Sequence, residues 1–285
     1  MIHCFTSRYE HKNLNIYNQS VQTFKSHNFR MLWTSSVAAH MSVGMQQVML
    51  GWISYDISQS IVFVGLIFAL RQVPFVIGGM IAGILSDMVD RKFLIIFTSA
   101  ILAIISLSVA TINQSIPFSM AGLSALALLL GAIDSVQLTT RSAYAYQINE
   151  HQSALNGIAL INLASKVGAI SGALVGGFLI AQFNTSVGFY IMGGAYVISA
   201  AVASQMHRTP RSPSSKQSHA PLTNLLSYFL LLKNNKQLQV LFTSCTLTEV
   251  FGFSYQVLLP VLVAETLEAG GFTLGILNAT KHLGG

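Results

Sequence analysis

The chain of 285 residues is 52% hydrophobic, and only 8% of its residues are Asp, Glu, Lys or Arg. Soluble globular domains carry about 25% charged residues, so this composition excludes an ordinary soluble domain and indicates a polytopic membrane protein. The 15 basic residues outnumber the 9 acidic ones, and Cys4 and Cys245 stand too far apart to form a metal-binding motif.

Long apolar runs predict the membrane-spanning helices, because about 20 helical residues cross a hydrocarbon layer of about 30 Å. The predicted spans are residues 31–55, 61–85, 93–112, 118–138, 155–182, 187–206 and 238–264. An eighth span begins near Phe272, and about 14 of its residues are present against the roughly 20 needed to cross. Residues 207–221 are rich in Pro and Ser and predict a linker, and residues 222–232 predict a short interfacial helix.

These runs divide the chain into four parts. Residues 1–30 form a polar N-terminal segment and residues 31–206 a half of six transmembrane helices. Residues 207–237 form a linker, and residues 238–285 begin a second half with a seventh helix and an incomplete eighth. Two six-helix halves joined by a linker are a common plan of secondary transporters. The predicted fold is therefore all-α, with a complete N-terminal half.

Lys and Arg are distributed unevenly among the predicted loops. The loops at residues 56–60, 113–116, 183–186 and 266–271 contain neither residue. The basic residues assigned to the opposite side are Arg8, Lys12, Lys25, Arg30, Arg91, Lys92, Arg141, Arg208, Arg211, Lys216, Lys233 and Lys236. Short loops rich in Lys and Arg stay cytoplasmic. The N-terminus, the turn at residues 87–92 and the linker are therefore predicted to be cytoplasmic, in a protein of the cell inner (plasma) membrane.

The turn between the second and third spans concentrates charge. Residues 83–92 read Gly-Ile-Leu-Ser-Asp-Met-Val-Asp-Arg-Lys. They resemble the signature G-x-L-a-D-r-x-g-R-K/R between the second and third helices of major facilitator superfamily transporters. The residues that match are Gly83, Leu85, Asp87, Arg91 and Lys92. Asp90 replaces the usual Gly, as in the drug- and siderophore-exporter branch. The resemblance implies a gate formed by Gly83, Asp87, Asp90, Arg91 and Lys92, with Asp134 of the fourth span paired to Arg91.

Three further stretches are similar to the enterobactin- and macrolide-exporter-like branch of that superfamily. Residues 45–56 resemble its first helix, and residues 251–260 resemble its seventh. Residues 168–177 resemble the antiporter motif G-x8-G-x3-G-P-x2-G-G of the fifth helix. Ala159 and Ala173 stand where that motif has its first Gly and its Pro. An uptake or facilitator permease therefore remains an alternative to an antiporter.

Glycines of the fifth span predict close helix packing. Gly168, Gly172 and Gly176 recur every fourth residue and are joined by Gly177, so they lie on one helical face where another backbone can approach. Such a seam also permits the two halves of a transporter to rock against each other.

Polar residues inside the spans are the candidates for a substrate or proton site. They are Gln46, Gln47, Arg71, Lys166 and Glu249. An unpaired cation near the centre of the membrane costs at least about 3 kcal/mol, so Arg71 must face a wet cavity or a carboxylate. A structural ion pair and a coupling role both remain open for it, and interhelical bonding remains open for the two glutamines.

Catalytic motifs are absent from the sequence: it contains no H-E-x-x-H, no nucleophile elbow and no phosphate-binding G-K-S/T. We therefore expect neither an enzyme nor an ATP-driven pump. The resemblance implies a secondary active transporter that exports an amphipathic small molecule, a drug or a siderophore, by alternating access. The proton gradient would drive it without a cofactor, and nucleic acid would not be a partner. The alternative is a truncated or split half-transporter that does not transport without its missing C-terminal half.

Overall fold

The computed structural model describes residues 23–149, 154–207, 232, 234–248, 251 and 254–284. This part of the chain is helical and contains no β-strand. Its first six long helices are α1 (His27–Ser58), α2 (Ile61–Met88), α3 (Arg91–Ser115), α4 (Met120–Ile148), α5 (Ala154–Gln182) and α6 (Thr185–Ser204). They are followed by α7 (Lys236–Leu247), by α8 (Tyr255–Val261) with a π-helical turn at Leu262–Thr266, and by α9 (Gly271–Gly284).

Four helices in the described ranges are both long and apolar enough to cross a membrane: Arg91–Ser115, Met120–Ile148, Leu155–Gln182 and Thr185–Ser204. Tyr255–Thr266 is a shorter apolar helix, and Ile61–Phe75 is an apolar segment within α2. Helix α1 does not reach the same hydropathy, because it buries polar residues such as Ser35, Ser42 and Gln46 inside the bundle. A multi-pass membrane protein is confirmed, whereas the count of six spans and the four-part division of the chain stay predictions.

Helix α4 is longer than the predicted fourth span. That span was expected to end at residue 138, but the helix continues to Ile148. Asp134, which stands near the end of the predicted span, therefore lies near the middle of the observed helix. The assignment of Arg141 to a cytoplasmic loop is wrong, because this residue is helical and completely buried.

Small residues bring the helices into close contact. Helix α5 packs on α1, α2 on α4, α3 on α6, and α9 on α5. A Cβ atom added at Gly172 would stand 1.9 Å from the carbonyl oxygen of Met41, and one added at Gly44 would stand 2.3 Å from that of Ala169. A helix in lipid gains little from hydrophobic burial against another helix, so backbone approach of this kind is a main source of association.

The other glycines of the α5 seam have distinct neighbours. Gly168 and Gly176 also face α1, with Val37 and Met45 as their nearest contacts, whereas Gly177 faces Gly275 of α9. Helix α5 therefore stands between α1 and α9. Helix α9 also contacts α1 directly. Residues near the end of the described chain therefore lie beside the first long helix, where the candidate site lies.

The outer and inner surfaces of the bundle differ in polarity. Large apolar side chains such as Phe97, Ile104, Phe178 and Ile198 are exposed. Serines, glutamines and charged residues of α1, α3, α4 and α6 are buried instead. An apolar exterior with polar groups buried inside suits a bundle in lipid, because polar groups there need partners inside the protein.

Candidate functional site

A cavity of about 280 Å³ lies among α1, α2, α4, α5 and α9. Nine of its thirteen lining residues have polar or charged side chains, and Val43, Phe75, Leu138 and Ala169 complete the lining. The polar lining residues are His40, Gln47, Arg71, Gln72, Asp134, Gln137, Ser165, Lys166 and His282. A concave site with a few convergent polar groups is typical of small-molecule binding. Three of the predicted cavity residues, Gln47, Arg71 and Lys166, meet here, together with Asp134, which was predicted to belong to the gate.

A buried ion pair joins α2 to α4 at the cavity wall. Arg71 Nη2 stands 3.2 Å from Asp134 Oδ2, and each residue is 5% exposed. The same nitrogen donates to Gln46 Oε1 at 3.4 Å, and the Tyr196 hydroxyl donates to Asp134 Oδ1 at 3.4 Å. The ion pair lowers the free-energy cost of burying Arg71 near the middle of its helix, because a buried charge in a membrane needs a partner.

The predicted pairing of Asp134 with Arg91 is wrong. Arg91 Nη1 instead donates to the carbonyl oxygen of Ala143 at 2.7 Å. Ala143 follows Asp134 by nine residues, which is about 13 Å along the helix axis. Arg71 lies opposite Asp134 and forms an ion pair with its carboxylate. Asp134 therefore belongs to the cavity rather than to the charged turn.

The turn between α2 and α3 is tied to two other helices. Asp90 accepts a hydrogen bond from the backbone N–H of Lys92 at 3.0 Å and so caps the start of α3. The Lys92 ammonium donates to the carbonyl oxygen of Met206, just after α6. Lys92 and Arg91 thus hold this turn against α6 and α4. Gly83 and Asp87 belong to α2, but their side-chain environment lies outside the described part of the structure.

Neighbouring glutamines of α1 have separate partners. Gln46 is buried beside the Arg71–Asp134 pair. Gln47 lines the cavity and accepts a hydrogen bond from Lys281 Nζ at 3.3 Å. Lys281 of α9 also donates to Gln256 Oε1 at 3.1 Å. Lys281 was not among the predicted site residues. The fifth predicted cavity residue, Glu249, lies outside the described residues.

A second buried cation, Arg141, was missed as a site residue. It is 0% exposed. Its Nη1 donates to the hydroxyls of Ser35 at 3.0 Å and Ser36 at 3.1 Å. Its Nη2 donates to the hydroxyls of Ser99 at 3.3 Å and Ser199 at 2.8 Å. The guanidinium is therefore held by hydroxyls from α1, α3 and α6.

Spacing within α4 was the available signal for Arg141. The residue follows Asp134 by seven positions, so the two side chains lie on one face of the helix, about two turns apart. Gln137 lies between them, lines the cavity and donates from Nε2 to the Ser99 hydroxyl at 2.9 Å. Hydrogen bonds thus connect the cavity lining to the buried Arg141.

Comparison with known proteins gives the family. The sequence model of the Major Facilitator Superfamily matches residues 32–282. The Staphyloferrin A transporter of Staphylococcus aureus (strain NCTC 8325 / PS 47) is 23% identical over 260 residues. The alignment covers 90% of this chain and 64% of that relative, so the chain spans less than two thirds of the relative's length. The superfamily predicted from the charged turn is confirmed, and the chain belongs to the Major Facilitator Superfamily.

Proposed function

We propose that this chain carries the substrate site of a secondary active transporter of the bacterial inner membrane. It exports an amphipathic small molecule, a drug or a siderophore, by alternating access, and proton entry drives the export. The alignment covers 64% of the relative's length. That this chain shares the transport activity of a full-length transporter is therefore part of the proposal. The N-terminus and the linker face the cytoplasm in this scheme.

The cavity is the observation that carries the proposal. Its charged residues lie near the middles of their helices: Arg71 in α2, Asp134 in α4 and Lys166 in α5. Secondary transporters bind substrate near the bilayer midplane, at a site that opens to each side in turn. A cavity lined by three charged residues near the middles of their helices has no evident role in a helix bundle that serves packing alone.

The Arg71–Asp134 pair supplies a means of coupling. A proton bound by Asp134 removes its negative charge and weakens its hold on Arg71, because the attraction between the two groups depends on both charges. Arg71 is then released to contact substrate, and loss of the proton restores the pair. Proton binding and substrate binding are linked in this way through one guanidinium.

The direction of transport and the substrate class have separate support. The charged turn and residues 45–56 resemble the drug- and siderophore-exporter branch, and the matched relative is named as a transporter of Staphyloferrin A. Uptake or facilitated passage is the alternative within transport. A half-transporter that requires a partner chain is the alternative for residues 1–285 by themselves.

Proteoliposomes provide the test. The purified protein is reconstituted, a pH gradient is imposed, and movement of a siderophore or a fluorescent drug is followed with and without a protonophore. We expect substrate to move against the proton flux, and Asp134→Asn to abolish the dependence on the gradient. Movement that ignores the gradient would favour a facilitator. Movement that starts only when a relative's C-terminal half is added would favour the half-transporter.

A further inference from the structure

The cavity carries more positive than negative charge. Arg71 and Lys166 line it, and Lys281 hydrogen-bonds its lining residue Gln47. Asp134 is the one carboxylate among the described residues of the lining. If Glu249 also faced this space, three cations would still stand against two carboxylates. The balance of the site is therefore cationic.

The neighbouring groups add to this excess. Gln137 of the lining shares the Ser99 hydroxyl with Arg141, whose described hydrogen-bond partners are all hydroxyls without charge. Arg141 therefore contributes a positive potential close to the cavity, and its complete burial limits screening by solvent. Its four serine partners orient their oxygens toward the guanidinium but do not neutralise it.

One hydrogen-bond donor at the site also lacks an acceptor. Arg71 Nε is buried and has no hydrogen-bond partner within the described part of the chain. A buried donor left unsatisfied is costly. An anion that drew the Arg71 guanidinium toward the cavity would relieve this cost, whereas a ligand that brings further donors would not.

We infer that the cavity binds an organic anion, with a carboxylate or a similar oxyanion directed toward Arg71 and the two lysines. The inference rests on the proposed function and narrows its substrate class. Arg71 supplies a planar guanidinium suited to a carboxylate. Lys166 and Lys281 approach from α5 and α9, so the anion would contact helices on both sides of the α5 seam.

The sign of the cavity potential can be measured without knowing the substrate. Cys4 and Cys245 are first replaced by Ser, and a single reporter, Ser165→Cys, is placed in the cavity lining. Its rates of reaction with an anionic reagent, sulfonatoethyl methanethiosulfonate, and a cationic one, trimethylammonioethyl methanethiosulfonate, are compared. Gln182→Cys, which is exposed at the end of the same helix, is the matched reference.

We expect the ratio of anionic to cationic rates to be about tenfold higher at position 165 than at position 182. Lys166→Gln and Lys281→Gln should each lower this ratio by about threefold or more, because removal of a nearby positive charge slows the anionic reagent and speeds the cationic one. Lys281→Arg should retain the ratio. Lys236→Gln, which removes the same charge from an exposed position, should leave it unchanged.

Two results would overturn the inference. One is a ratio at position 165 equal to or below that at position 182, and the other is a reporter that reacts with neither reagent. Neither result bears on the proteoliposome assay, which tests the proposed transport function separately. A cavity that prefers the cationic reagent would refute the anion class alone, whereas the expected ratio without any transport would refute the proposed function alone.

Discussion

Gly172 offers a direct test of how closely α1 and α5 approach. Its substitution by Ala would place a Cβ atom 1.9 Å from the carbonyl oxygen of Met41. The obstacle is backbone, so rotation of a side chain cannot relieve the clash. The helices must separate until this distance exceeds about 3 Å, and the seam between them must repack.

The expected cost follows from two opposing terms. Overpacking of a well-packed interior costs typically 1–3 kcal/mol, and a clash with backbone belongs at the upper end of that range. Ala improves helix propensity over Gly by about 1 kcal/mol. The net loss for Gly172→Ala is then about 2 kcal/mol, which corresponds to a melting temperature lower by about 4–8 °C.

The glycines of the chain supply a graded control series. The nearest atom to an added Cβ lies at 1.9 Å for Gly172, 2.5 Å for Gly168 and 3.0 Å for Gly176, while Gly194 of α6 has no atom within 4 Å. Thermal unfolding in one detergent should therefore rank the four Ala variants in this order, with Gly172→Ala the least stable. Gly194→Ala should be as stable as the parent or slightly more stable. If Gly172→Ala melted no lower than Gly194→Ala, the close approach of α1 and α5 would be refuted.

Three further predictions concern the charges. Asp134→Asn should lower the free energy of unfolding by about 3 kcal/mol because it leaves Arg71 buried and unpaired, and adding Arg71→Gln should recover much of that loss. Thermal unfolding of the two single variants and the double variant measures this, and additive losses would contradict it. Ser199→Ala should lower the free energy of unfolding by about 1–3 kcal/mol, because it removes a 2.8 Å hydrogen-bond partner of Arg141. Arg141→Met should lower it less, since Ser35 and Ser199 also donate to each other's carbonyl oxygens. A larger loss for Arg141→Met in the same melting assay would contradict this expectation. Alkaline phosphatase fused after Pro210 should be inactive because the linker is expected to be cytoplasmic, and high activity would refute the topology.

The membrane class and the superfamily could be predicted from the sequence because both depend on local properties. Apolar runs and a low charge content indicate membrane spans wherever they fold. The turn at residues 83–92 places its charges within a few positions of one another, so its likeness to the superfamily could be seen without a structure. Neither property requires knowledge of which helices are neighbours.

The pairing of Asp134 could not be predicted in the same way. Its partner Arg71 lies 63 residues earlier in the chain, and the sequence does not give the rotation of α2 relative to α4. The resemblance of the charged turn to the superfamily signature instead predicted Arg91 as the partner of Asp134, although Arg91 lies nearer the end of the bundle. The close packing of Gly131 against the Arg71 backbone decides the outcome, with a distance of 2.1 Å from a hypothetical Cβ to the Arg71 carbonyl oxygen.

Arg141 was misplaced because polarity was taken as evidence of a loop. Residues 139–141 read Thr-Thr-Arg, and their low hydropathy ended the predicted fourth span. Hydropathy averages over all faces of a helix, so it cannot distinguish polar residues that face water from those that face a polar interior. Arg141 belongs to the second kind, since its hydroxyl partners come from three other helices.

The same reasoning connects the weak hydropathy of α1 to the candidate site. Ser35 and Ser36 hold Arg141, Gln46 contacts Arg71, and Gln47 contacts Lys281. These residues lower the apolar signal of α1, and they accept hydrogen bonds from Arg141, Arg71 and Lys281. In a lipid-embedded bundle, polar residues need partners inside the protein, so a span of reduced hydropathy next to strongly apolar ones indicates a helix that faces a polar site. That α1 lines the cavity is therefore a physical consequence of its composition.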